Sequence, residues 1–162
     1  MDKFLDKITS YNLLNNILPG AVTYYILKIL THLDIPDFSI LGEIFIYYFI
    51  GLLCSRLGSI IIEPICKAVK FVVYVDYSDY SQAEKKDTKI NILLEVNNMY
   101  RTFSASFFIL ILISVVNILK SHKLSLNNLY LYGFIFICFI LFLFSYRKQT
   151  SYIVKKVKQN IN

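Results

Sequence analysis

The chain has 162 residues, of which 56% are apolar and 16% aromatic, with a formal net charge of +6 and a mean hydropathy of +0.54. A soluble domain of this size is about 45–50% apolar, so the composition excludes an ordinary soluble domain and points to one membrane-embedded unit. Positive charge on such a chain concerns topology and anionic lipid before nucleic acid, and no direct nucleic-acid binding is expected.

The start, MDKFLDKITS, mixes two Asp with two Lys, and no small-x-small cleavage site precedes Asp34. The first apolar segment is therefore expected to stay as an anchor and not be removed as a signal peptide. It covers residues 13–33, with Ser10 as an N-cap and Pro19-Gly20 as a kink or as the start of the membrane part. The turn DIPDFS follows, with Pro36 and the N-cap candidates Asp37 and Ser39, and opens a second span over 39–62. Residues 67–101 are the one sizeable polar segment, and Ile90, Leu93, Leu94 and Asn97 recur at helical spacing. That segment reads as a cytoplasmic helical hairpin between the second and third spans, with FVVYV as an alternative short strand. The third span, 102–119, contains SASFFILILISVVNIL; the fourth, 130–146, is YLYGFIFICFILFLFSY. Each is near the about 20 residues that cross a bilayer. Residues 147–162 form a basic tail with Ile153, Val154, Val157 and Ile161 on one side, which suits a short helix lying on an anionic leaflet. The fold class expected is all-α, a polytopic membrane protein of four transmembrane helices.

Thirteen lysines and arginines fall in the N-terminal tail, the 67–101 segment and the C-terminal tail, against Lys120 and Lys123 in the opposite turns. The positive-inside rule then puts both termini in the cytoplasm. Cys54, Cys66 and Cys138 are odd in number and sit in apolar runs, so they read as buried free thiols. No spacing suggests a metal site; His32 with Asp34 and Asp37 is too sparse a set. No cofactor and no catalytic residue are expected.

Charges inside the spans carry the sharper readings. Lys28 and Glu43 lie equally far from the first turn, so an antiparallel hairpin brings them to one depth, as a structural pair or as part of an ion or proton path. Arg56, Glu63 and Arg101 come to similar depth when counted from the outer helix ends. They are expected to form a charged junction at the cytoplasmic mouth, unless Arg56 simply snorkels to the headgroups. Glu63 also precedes Lys67 by four residues, the favourable order on a helix, and Pro64 offers a bend. Gly51, Ser55, Gly58 and Ser59 make a small-residue packing stripe. Thr102, Ser106, Ser114 and Asn117 make a polar stripe, read either as packing inside one bundle or as a pore or subunit interface. Lys67, Lys70, Lys85, Lys86 and Lys89 are the candidate contacts for a ligand or partner.

Three stretches, KITSYNLLNNILPG, SRLGSIIIEP and EVNNMYRTF, resemble small polytopic bacterial inner-membrane proteins that act as effectors of anti-phage defence systems. The resemblance implies a homo-oligomer that opens or damages the inner membrane when a cytoplasmic protein or nucleotide signal triggers it, and it implies no catalytic residues. The function expected is thus a homo-oligomeric channel or membrane-disrupting effector gated from the cytoplasm. The alternative is a non-conducting membrane anchor that docks a cytoplasmic partner.

Overall fold

The computed structural model describes the backbone of residues 2–32, 38–121 and 126–161, and the side chains of 15–32, 38–120, 126 and 128–161. Its helices are α1 (Asp2–Thr31), α2 (Ile40–Leu57), α3 (Glu63–Ala68), α4 (Tyr77–Lys86), α5 (Lys89–Ser121) and α6 (Leu126–Ile161). A π-helical segment, Gly58–Ile62, joins α2 to α3 without a break. No strand occurs among the described residues, and FVVYV lies in the irregular connection from α3 to α4. Ser10 is not a cap but lies inside α1. Ser39 caps α2, its hydroxyl accepting from the Gly42 amide at 3.3 Å. Three helical runs, Ile40–Ala68, Lys89–Lys120 and Asn128–Ile161, are long and apolar enough to cross a membrane.

The helix α5 is central, packing against α1, α2 and α6. Its apolar window is 39% buried, against 22% for the α2–α3 run and 11% for α6, so α6 turns most of its apolar surface outward. The α5–α6 seam is aromatic: Phe103 and Phe107 both stack on Phe142, with ring centroids 4.4 and 5.5 Å apart. Outward-facing Phe45, Phe49, Leu53, Leu112, Val116, Phe134, Ile137 and Leu141 form an apolar belt. In water such a belt would be an aggregation surface; in lipid it is the solvent-exposed face.

At 1.5 Å per residue α5 and α6 are roughly 50 and 54 Å long, well beyond about 30 Å of hydrocarbon. The surplus lies at the start of α5 and the end of α6, and α4 packs there. Ala83 of α4, Ile90 of α5, and Ile153 and Val157 of α6 form a buried core. Residues 147–161 of the expected basic tail are therefore not a separate helix lying on a leaflet. They are the last turns of α6, and their apolar side finds protein partners on α4 and α5.

A polar clasp closes this unit. Asp87, in the turn between α4 and α5, accepts from Lys156 Nζ at 3.0 Å and from the Lys89 amide at 3.0 Å. The Lys156 bond, with the Lys89 amide second, holds the Asp87 carboxyl below its ordinary value. A carboxyl lowered in the folded state lends stability above its unfolded pKa and loses it as pH falls through the folded one. At neutral pH, Asp87→Asn should speed hydrogen exchange in α4 after correction for intrinsic rates. The gap between variant and wild type should close as pH drops below the ordinary aspartate range. A gap that persists there would mean that the clasp does not hold α4.

The α3 helix ends in a Schellman turn. The Phe71 amide bonds to the Cys66 carbonyl at 2.8 Å, and the Lys70 amide to that of Lys67 at 3.0 Å. The left-handed position, with φ 56°, is held by Lys70. Glycine is the usual occupant, and a side chain there costs on the order of 1 kcal/mol.

Candidate functional site: a charged node at the end of the apolar helices

Glu63 opens α3 directly after the π segment, and Pro64 follows it. Proline has no amide to give to the carbonyl four residues back, and its ring crowds that carbonyl. The helix answers by widening, and the Glu63 amide bonds to the Gly58 carbonyl five residues back. Thus Pro64 does not end the helix; it is accommodated by the π segment. At Gly58 the α5 backbone comes close, and an added Cβ would stand 3.2 Å from the Arg101 carbonyl oxygen.

That approach lets Arg101 reach Glu63. Its guanidinium donates to Glu63 Oε2, while Lys67 Nζ donates to Oε1 at 2.6 Å. The side chains of Glu63 and Arg101 are 18% and 14% exposed, and that of Lys67 is 49% exposed. Lys67 Nζ also stands 4.5 Å from the centre of the Tyr74 ring. The Tyr74 hydroxyl is hydrogen-bonded to that of Tyr146, which is fully buried on α6. One node therefore ties together α3, the connection after it, α5 and α6. Two cations face one carboxylate, so its formal charge is positive. The Arg101 Nε is buried and has no protein acceptor.

Arg56 is not part of the node. It is exposed, and among the described residues it enters no ion pair. In a regular α-helix Arg56 and Glu63, seven residues apart, share a face. The extra residue in the π turn shifts the phase between them by roughly 100°.

The proposed Lys28–Glu43 pair is also not formed. Glu43 Oε2 accepts instead from the Tyr47 hydroxyl at 3.0 Å, and that hydroxyl lies 2.9 Å from the Tyr25 hydroxyl. A phenol has one proton, so Tyr47 donates to Glu43 and accepts from Tyr25. Equal depth did not determine which way each side chain faces.

The small-residue stripe is spent inside the chain. Gly51 meets the Asn16 backbone of α1, Gly58 meets α5, and the Ser59 hydroxyl bonds back to the Ser55 and Arg56 carbonyls. The polar stripe of α5 is spent there too. Thr102, Ser106 and Ser114 are buried, and each bonds the carbonyl four residues before it. The Asn117 amide donates to the Leu30 carbonyl of α1 at 2.7 Å. Within this chain three of the four stripe side chains are buried and all four are hydrogen-bonded to backbone carbonyls.

The candidate lysines are scattered. Lys67 belongs to the node and Lys86 donates to the Asn160 carbonyl at 2.8 Å, while Lys85 and Lys89 have exposed side chains. Tyr74, Tyr146, Asp87 and Lys156 were missed by sequence reasoning. Only Asp87 left a local trace, an Asp just ahead of a periodic segment, where a cap belongs. The arrangement can clamp helices and hold an anion. Among the described residues no group of three or more His, Cys, Asp or Glu could hold a metal ion. No protein-family model, no curated protein and no solved structure matches the chain.

Proposed function

We propose that the chain is a multi-pass protein of the bacterial inner membrane that works as a non-conducting anchor, presenting a rigid basic platform to an acidic cytoplasmic protein. The observation that carries this reading is where the polar groups go. The hydroxyls and the amide of the α5 stripe are bonded within the chain, and the exposed side of the apolar helices is a belt of Phe, Leu, Ile and Val. An oligomeric pore needs a polar face to turn toward water, and such a belt offers lipid an apolar one. In this reading α1 is a fourth span, because it runs antiparallel to α2 and exposes Leu18, Val22, Tyr25 and Ile29. Both termini then lie in the cytoplasm with the lysine-rich segments.

The conducting reading, a homo-oligomeric channel or membrane-disrupting effector in anti-phage defence, is favoured by one observation. A π segment stands directly before Glu63, and such segments recur at functional sites and hinges. A partner or nucleotide signal that bound two states of the node differently would shift a gate there. Ion flux from dye-loaded liposomes separates the two. Wild type and Glu63→Gln should both match protein-free liposomes. A wild-type flux that Glu63→Gln alters would replace the anchor with the gated channel.

A further inference from the structure

Lys70, Arg147, Lys155 and Lys158 line one cavity of about 370 Å³, with Phe71 and Ser151 between them. Among the described residues the ion pairs are Glu63 with Lys67 and Arg101, and Asp87 with Lys156. Among the described residues none of the four cleft cations has a carboxylate partner. Like charges gathered without a counter-charge repel, and an anion seated among them removes that cost. Lys70 is held there in a left-handed conformation, φ 56°, that glycine would adopt more easily. Strain kept at a charged cleft points to a use for the charge.

The cleft is continuous with the apolar belt. The Arg147 guanidinium lies 4.9 Å above the Phe71 ring, and Phe71 packs edge-on against Phe144 at 5.5 Å. From Phe144 an exposed stripe runs back along α6 through Leu141 and Ile137. A ligand fitting both parts is an amphiphile with an anionic head and acyl chains.

We infer that this cleft is the headgroup site of an anionic phospholipid. Its phosphate is held by Lys70, Arg147, Lys155 and the Ser151 hydroxyl, and one chain lies along Ile137, Leu141 and Phe144. The inference rests on the membrane reading and on neither the anchor nor the channel. Detergent-purified protein exchanged into mixed phosphatidylglycerol–phosphatidylcholine nanodiscs, then released for native mass spectrometry, tests it. Wild type should retain phosphatidylglycerol in preference. Lys70→Gly and Arg147→Gln should each cut that retention about 5-fold, from about 1 kcal/mol per cation. Lys85→Gln, on the exposed side of α4, should not. Lys70→Gly should also unfold no more easily than wild type, which separates lost binding from lost folding. Equal losses from Lys85→Gln, or no lipid preference in wild type, would overturn the site. So would displacement of the lipid by inorganic phosphate at millimolar concentration, which would make it a soluble-phosphate site. Protein that stays monodisperse without detergent would instead defeat the membrane reading itself.

Discussion

Gly51→Ala should destabilise the purified protein by about 3 kcal/mol, the upper part of the range for overpacking a tight site. A Cβ at Gly51 would lie 1.9 Å from the Asn16 carbonyl oxygen, and one at Gly20 would lie 1.7 Å from that of Tyr47. Both obstacles are backbone, so no rotamer change relieves them. The α1 and α2 helices would have to separate along their contact, and with α1 as the proposed fourth span lipid gives them no hydrophobic drive to stay together. Alanine also favours helix over glycine by up to about 1 kcal/mol, so any loss measured is net of that gain. Gly133 is the control: nothing lies within 4 Å of its added Cβ, and Gly133→Ala should be neutral or slightly stabilising. Equilibrium unfolding in mild detergent reads both variants against wild type. Parity between Gly51→Ala and Gly133→Ala would show that the α1–α2 contact is not close in the folded protein.

Arg101→Gln should lower stability by about 2–3 kcal/mol. Removing one partner of a fully buried pair typically costs about 3–5 kcal/mol. Glu63 keeps 18% exposure and a second partner in Lys67, which reduces the cost. Most of the loss comes from leaving Glu63 partly desolvated and under-compensated. Glu63→Gln in the same background should therefore recover part of it, with a coupling of at least about 1 kcal/mol in the double-mutant cycle. Arg101→Lys should not restore wild-type stability, since a point ammonium on a shorter reach cannot reproduce the guanidinium donor. Additive losses in the cycle would dissolve the node into two unrelated surface charges.

The node was legible in part, and the parts divide by physics. Glu63 and Lys67 are one helical turn apart on a continuous helix, so spacing alone brings them together. Arg101 could be matched to Glu63 because helices of fixed rise, counted from a common end, give depth. Depth says nothing of azimuth. Lys28 and Glu43 show this, since Glu43 turns to Tyr47. So does Arg56, which the π segment rotates away. The Tyr74–Tyr146 bond spans 72 residues, and no local pattern in either stretch announces it.

The sequence by itself determined the class of this protein: an all-helical chain with helices apolar and long enough for a membrane, and its cations massed in the tails and the central polar segment. Hydropathy, helical period and caps such as Ser39 act over a few residues, so they can be read without a fold. The tertiary structure decided how each face is used. Whether the α5 stripe lines water or packs inside depends on what α1 and α2 bring against it. Whether the C-terminal turns lie on lipid depends on α4 offering Ala83 to Ile153 and Val157. Whether Lys70 and Arg147 share a cleft depends on one left-handed residue turning the chain back toward α6. These outcomes are sums over neighbours distant in sequence, and a helix with more than one usable face leaves them open until its partners are in place.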